Sequence, residues 1–178
     1  IKALEITAET PRVAALIEKA ATEVGDKVLV GAGTVLDPET ARSVIAAGAV
    51  FVVSPTLNTE TIKMVKRYGV VSIPGALTPT EILTAYEHGA DMVKVFPVNA
   101  FGPSYVKNIH GPMPQITLMV TGGINLDNIG EYVRSGASGI GLGSNLVNAK
   151  KLNSEADYQA LVEQAKRYVE KYQKALKN

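Results

Sequence analysis

The chain has 178 residues, 46% hydrophobic and 20% charged, with 18 Lys plus Arg against 17 Asp plus Glu for a formal net charge of +1. That length and composition suit one globular domain over residues 1–178, and a near-balanced charge with no basic block gives nucleic acid no footprint to follow. The absence of cysteine excludes a disulfide framework and fits a cytoplasmic protein; no apolar run approaches the roughly 18 residues of a membrane span, and the opening Ile1-Lys2-Ala3-Leu4-Glu5-Ile6-Thr7 is no signal peptide.

In chain order, the apolar pattern predicts a strand over Ala3–Thr7, a helix over 11–24, a strand over Val28–Gly31 and a helix over 38–47. A strand over Phe51–Ser54, a helix over 59–68, a strand over Val70–Ile73 and a helix over 79–88 follow. The rest reads as strands over Met92–Phe96, Thr117–Val120 and Gly139–Leu142, with helices over 103–109, 126–135 and, longest, 154–176. Asp37-Pro38, Thr78-Pro79, Gly102-Pro103 and Asn125 are helix-start signals. Ala47-Gly48, Tyr68-Gly69, His88-Gly89 and Ser135-Gly136 place glycine just past a helix end. The strands are β-branched and apolar on both sides, as in a parallel sheet covered by helices.

One unit recurs. Gly48-Ala49-Val50-Phe51-Val52-Val53-Ser54-Pro55 is echoed by Gly89-Ala90-Asp91-Met92-Val93-Lys94-Val95-Phe96-Pro97 and by Gly136-Ala137-Ser138-Gly139-Ile140-Gly141. Each is a helix end, a glycine and a buried strand. Repetition of a βα unit points to the α/β class and a (β/α)8 TIM-type barrel rather than a doubly wound sheet. Seven strands are readable and the chain opens on one, so the expectation is a barrel lacking its first βα unit.

Such barrels place their chemistry at the C-terminal strand ends. Here those ends carry Glu5 with Thr7, Gly31-Ala32-Gly33-Thr34, Ser54-Pro55, Pro74-Gly75, Lys94 with Phe96-Pro97, Thr121-Gly122-Gly123, and Gly143-Ser144. Lys94 stands out within Met92-Val93-Lys94-Val95-Phe96. Alternation puts the valines on one face and Lys94 on the other; desolvation inside a barrel would lower its pKa and leave an amine able to attack a ketone. The plain alternative is a lysine that snorkels out or pairs with a carboxylate. Glu5 has the same ambiguity. It is either a proton carrier beside that lysine or a structural ion pair with Lys94 or Lys2.

The glycine-rich turns after two consecutive strands, Thr121-Gly122-Gly123-Ile124-Asn125 and Gly141-Leu142-Gly143-Ser144, let backbone N–H groups approach an anion, with a helix dipole in support. Gly31-Ala32-Gly33-Thr34 lacks the third glycine and acidic partner of a dinucleotide turn. His88 and His110 fall at helix ends as cations or caps. With no cysteine and no His–carboxylate spacing, no metal and no cofactor are expected. Tyr86, Tyr105, Tyr132 and Tyr158 read as helix packing residues, and the Lys-rich stretch from Lys150 to Lys177 as a solvated face.

Taken together, the ordered motifs resemble those of the 2-keto-3-deoxy-6-phosphogluconate (KDPG) / 4-hydroxy-2-oxoglutarate (KHG) aldolases. They are Leu4-Glu5-Ile6-Thr7, Val30-Gly31-Ala32-Gly33-Thr34-Val35, Phe51-Val52-Val53-Ser54-Pro55 and Ile73-Pro74-Gly75. Thr78-Pro79-Thr80-Glu81, Val93-Lys94-Val95-Phe96-Pro97, Gly111-Pro112, Thr121-Gly122-Gly123-Ile124 and Gly143-Ser144 continue the series.

The resemblance implies a class I aldolase in which Lys94 forms an imine with the substrate ketone and Glu5 moves protons through a bound water. It implies that Thr34 contacts the pyruvate carboxylate, that Phe96 walls the pyruvate pocket with Pro55 in the substrate-binding set, and that Thr121 helps set stereochemistry. Gly122, Gly123, Gly143 and Ser144 would hold the phosphate of a small keto-acid sugar phosphate. The family's homotrimer and metal independence are expected with it. One departure is Glu9, where many members carry an arginine for the carboxylate. That departure and the absent first unit keep a non-catalytic phosphate-binding or oligomer-building barrel as the alternative. An isomerase using Glu5 as base is a third reading.

Overall fold

A computed structural model describes residues 1–177. The chain divides into two compact units, Ile1–Lys94 and a second beginning at Val95.

The first unit alternates strand and helix: β1 (Ala3–Thr7), α1 (Val13–Val24), β2 (Leu29–Gly33), α2 (Pro38–Ala46), β3 (Phe51–Val53), α3 (Thr59–Arg67), β4 (Val71–Ile73), β5 (Gly75–Ala76) and α4 (Pro79–Glu87). β6 (Val93–Val95) carries Lys94, the last residue of the unit. β1 to β4 lie side by side in chain order and pair in parallel. Glu5 stands opposite Gly31, Thr7 opposite Gly33, and Ala32 opposite Val52. Ile17, Val30, Ala32, Val35, Ala41, Val44, Val52 and Val65 form the core, the main source of stability for the unit.

Local chemistry fixes where the helices begin. Asp37 accepts from the Thr40 N–H at 2.6 Å ahead of Pro38, and Asn58 accepts from the Glu60 and Thr61 N–H groups at 3.0 Å each. Thr78 and Glu81 form a reciprocal capping box. Each such cap contributes about 1 kcal/mol. Gly48, Gly69 and Gly89 end their helices at φ of 104°, 68° and 94°, where any side chain would be strained.

Two expectations need correction in this unit. The strand expected over Val70–Ile73 is present as β4, but a second short strand, β5, follows it beyond Pro74 and was not expected. Proline has no N–H to continue a ladder, so β4 pairs with β3 while the Pro74 carbonyl accepts from the Lys94 N–H at 2.8 Å. Seven readable strands thus become eight short ones among the described residues. Nor is every strand covered on both sides: β1, at one edge of its sheet, is largely exposed, with Leu4 43% accessible.

The second unit holds a 3₁₀ turn at Val98–Ala100, α5 (Pro103–His110), β7 (Leu118–Thr121), α6 (Ile129–Arg134), β8 (Gly139–Gly141), a second 3₁₀ turn at Ala149–Lys151 and α7 (Glu155–Leu176). β7 and β8 pair in parallel with Thr121 opposite Gly141. Val106, Ile109, Ile116, Leu118, Val120, Ile129 and Tyr132 are buried here, and α7 packs on α6 while burying Tyr168 and Ala175. Ser154 and Asp157 cap α7 reciprocally. Its lysines are exposed as expected, but Tyr158, and Tyr86 on α4, are exposed at 50% and 42% where packing was expected. Those two tyrosines are therefore surface residues, unlike Tyr132.

α6 starts three residues later than the sequence suggests. The Asn125 side chain accepts from the Asp127 and Asn128 N–H groups at 2.8 and 3.1 Å, so Asn125 closes a turn instead of opening the helix. Among the described residues no helix is long and apolar enough to cross a membrane.

Candidate active site

β6 places Lys94 between Val93 and Val95, both fully buried, and leaves the lysine itself only 6% accessible. A primary ammonium in that setting loses most of its hydration. Desolvation therefore pushes the Lys94 pKa down, and the negative charge of Glu5 only partly opposes it. Glu5 reaches the same neighbourhood from β1. Its backbone lies along the exposed strand, yet protein crowds its carboxyl enough that desolvation raises the pKa, against the opposing charge of Lys94. Each partner shifts toward its neutral form. Mutual attraction is thus the smaller effect for both.

Gly33 explains how Glu5 fits. A Cβ built on Gly33 would fall onto the Glu5 carboxyl group, and one on Gly31 would meet the Phe51 ring at 2.5 Å. The Gly-x-Gly of β2 is thus cleared space on one face of a strand. The next residue, Thr34, sits at φ 54°, a left-handed conformation that costs a β-branched residue on the order of 1–3 kcal/mol and that clusters at functional sites. Ser54 is buried and donates through Oγ to the Thr56 carbonyl at 2.7 Å, and the Pro55 backbone fills the space beside Gly75. Glu9 is exposed.

In the second unit Phe96, half-buried, follows β6, and its peptide to Pro97 is cis. Thr121 ends β7 with its Oγ1 buried and without a hydrogen-bond partner among the described residues. The space beside that hydroxyl exists because residue 141 is glycine: a Cβ there would collide with Oγ1. Gly122 and Gly123 follow at φ 103° and 72°, packed on Pro97 and Asn99. The N–H groups of Gly122, Gly123, Gly143 and Ser144 have no protein acceptor among the described residues. Their neighbouring carbonyls are occupied: Gly123 accepts from Asn128 at 3.0 Å and Ile124 from Asn145 at 2.7 Å.

Free donors with occupied acceptors make a surface that favours an anion. The helix dipole expected to assist does not. α6 begins at Ile129 and is six residues long, so the loop amides must act alone. His88 caps its helix as expected, through Nδ1 on the Thr84 carbonyl at 2.8 Å; His110, at the end of α5, instead bonds through Nε2 to the Ile116 carbonyl ahead of β7 at 3.1 Å. No group of three or more metal-ligating side chains is assembled among the described residues.

Residues 1–164 match the family model described as "Aldolase: KDPG and KHG aldolase". The chain belongs to the KDPG and KHG aldolase family. It is similar to the 2-dehydro-3-deoxy-6-phosphogalactonate aldolase of Escherichia coli K12, 35% identical over 175 residues that cover 98% of this chain and 83% of the relative. Among solved structures, one described as native KDPGal superposes with a TM-score of 0.93 at 34% identity, covering 100% of this chain and 84% of the other. A Legionella pneumophila KDPG aldolase holding pyruvate as a covalent carbinolamine intermediate superposes at 0.78 and 29% identity, over 99% of this chain and 80% of that one.

The chain is accordingly an aldolase with the TIM-type α/β barrel fold of this family. Against that background, two parts of the site escaped the motif reading. Gly33 could have been found from strand parity, because it shares a face with Gly31 one register step from Glu5. Asn128 and Asn145, which occupy loop carbonyls, left no sequence signal beyond being asparagines in turns.

Proposed function

We propose that this aldolase cleaves KDPG reversibly to pyruvate and glyceraldehyde 3-phosphate through an imine on Lys94. The observation that carries the reading is the desolvated Lys94 coupled to Glu5. The neutral amine attacks the C2 ketone to give a carbinolamine, the kind of intermediate trapped with pyruvate in the Legionella relative; the Glu5 carboxylic acid protonates the departing hydroxyl, so that water leaves behind a protonated imine and a Glu5 carboxylate. The Glu5 carboxylate takes the C4 hydroxyl proton, the C3–C4 bond breaks, and its electrons move into the imine to form an enamine. Glyceraldehyde 3-phosphate departs as the aldehyde. The Glu5 carboxylic acid then returns its proton to C3, and water hydrolyses the imine to pyruvate and free Lys94.

The other roles follow the family resemblance. Thr34 binds the pyruvate carboxylate, Phe96 and Pro55 wall the pyruvate, and the amides of Gly122, Gly123, Gly143 and Ser144 with the Ser144 hydroxyl take the phosphate. Thr121 offers a hydroxyl without a partner among the described residues to the substrate oxygen at the bond being broken. The steps need no metal or cofactor. The proposal extends to a homotrimer of one-domain chains, checked by light scattering for three times the chain mass. It also extends to a cytoplasmic location, where a sugar phosphate carrying both phosphate and carboxylate charge is retained.

The similarity to a phosphogalactonate aldolase favours a second reading, the C4 epimer as substrate, and the family description adds KHG, which yields glyoxylate. Pyruvate release coupled to lactate dehydrogenase, measured on KDPG, its galactonate epimer and KHG, separates the three. The highest kcat/KM is expected on KDPG, and no pyruvate from any of them refutes the reading.

A further inference from the structure

The two glycine loops of the second unit are joined by a side chain that the proposed reaction does not use. Asn145 directly follows Ser144, and its Nδ2 donates to the carbonyl of Ile124, which directly follows Gly123, at 2.7 Å. The backbone carbonyl of Asn145 in turn accepts from Nε2 of Gln164 on α7 at 2.8 Å. Each loop is otherwise closed on itself. The N–H groups of Leu146 and Val147 both donate to the Gly143 carbonyl, at 2.9 and 3.0 Å, and Asn128 holds the Gly123 carbonyl from within its own turn. Among the described residues, Asn145 to Ile124 is the one hydrogen bond that crosses from loop to loop.

We infer that Asn145 is a positioning residue for the phosphate end of the substrate, held in place by Gln164. An anion shared by amides of two separate loops needs all its donors within about 2.7–3.2 Å at once. Neither loop is part of a helix or strand, so their spacing depends on the tie between them. By drawing the Ile124 carbonyl toward itself, Asn145 also keeps that acceptor away from the amides, where it would repel phosphate. α7 thereby acquires a role at the site through Gln164, although it lies beyond the catalytic motifs in sequence.

The inference rests on the phosphate assignment above, and the experiment keeps the two apart. KDPG is compared with unphosphorylated 2-keto-3-deoxygluconate, and inorganic phosphate is titrated as a competitive inhibitor. For Asn145→Ala, and equally for the size-matched Asn145→Asp, KM for KDPG and the phosphate inhibition constant rise roughly three- to tenfold, the scale of one neutral hydrogen bond. Here kcat, and kcat/KM for the unphosphorylated substrate, hold. Gln164→Ala moves the same quantities in the same direction by less, and circular dichroism confirms that each variant is folded. Parallel losses on both substrates, or an unmoved phosphate constant, overturn the positioning role. A wild-type enzyme with neither phosphate inhibition nor preference for the phosphorylated substrate overturns the phosphate assignment, and the inference with it.

Discussion

In the first unit Lys94 and Glu5 both titrate away from their ordinary values because protein surrounds them; in the second, the loops over residues 121–125 and 142–145 contain no ionisable side chain at all. The first arrangement suits proton transfer, which needs groups poised to change charge near working pH. The second suits an anchor, whose fixed backbone dipoles hold an anion without titrating. One chain thus keeps its variable charges and its constant dipoles in different units. Chemistry should therefore respond strongly to pH, while the enzyme's contribution to phosphate binding should respond weakly.

The comparison breaks most visibly at Lys94. Lys94→Met should lower kcat by roughly four or more orders of magnitude, the scale expected when a covalent nucleophile is removed. Tm should hold or rise, because a desolvated ammonium disappears. The folded pKa of Lys94 lies below its unfolded value, so the unfolded chain carries the extra proton between the two, and wild-type stability gains with pH through that window. The Tm gap between Lys94→Met and wild type should accordingly narrow as pH rises through it. A variant that melts far below wild type at neutral pH would show that Lys94 is a structural ion-pair partner.

Glu5→Gln should cost about 10²–10⁴ in kcat, the usual range for a general acid–base group. It also sharpens the electrostatic side of the comparison. In wild type, kcat/KM should climb with pH as Lys94 loses its proton. Glu5 holds that pKa up, so removing its charge should move the acid limb to lower pH. An unmoved limb in the pH profile would mean that the two groups are not coupled.

Gly33→Ala should lower kcat by roughly one to two orders of magnitude, because a Cβ there displaces the Glu5 carboxyl and small misplacements of a catalytic group are costly. Activity equal to wild type would relocate Glu5. Smallest in stability terms is Thr34→Asn. Asparagine tolerates the left-handed conformation better than threonine, so Tm should hold or rise by a few degrees while KM for pyruvate in the condensation direction increases. Unchanged pyruvate affinity would remove Thr34 from the carboxylate role.

Periodicity and turn chemistry made most of the fold legible. Gly48, Gly69, Gly89 and Gly136 end helices where glycine after an amphipathic run predicts, and Asp37 and Thr78 begin them. What escaped were features decided by tertiary hydrogen bonding. A strand pattern does not show that a second short strand, Gly75–Ala76, forms beyond Pro74, nor that Asn125 spends its side chain on a turn and delays α6. At the site, Lys94 and Glu5 were visible because charge inside an apolar strand is costly. Gly33 was ambiguous because a glycine that clears space for a carboxyl looks the same in sequence as one that approaches a phosphate. Asn145 and Gln164 act through partners 21 and 19 residues away, a separation at which sequence spacing carries no geometry.

The central claim is that Lys94 is the nucleophile, and the most direct measurement is covalent trapping. Incubation with pyruvate and borohydride, followed by intact mass and peptide mapping, should give a single reduced pyruvate adduct on the peptide containing Lys94, with yield rising as pH passes through the depressed pKa of that lysine. No adduct, or an adduct that survives Lys94→Ala, would contradict the account.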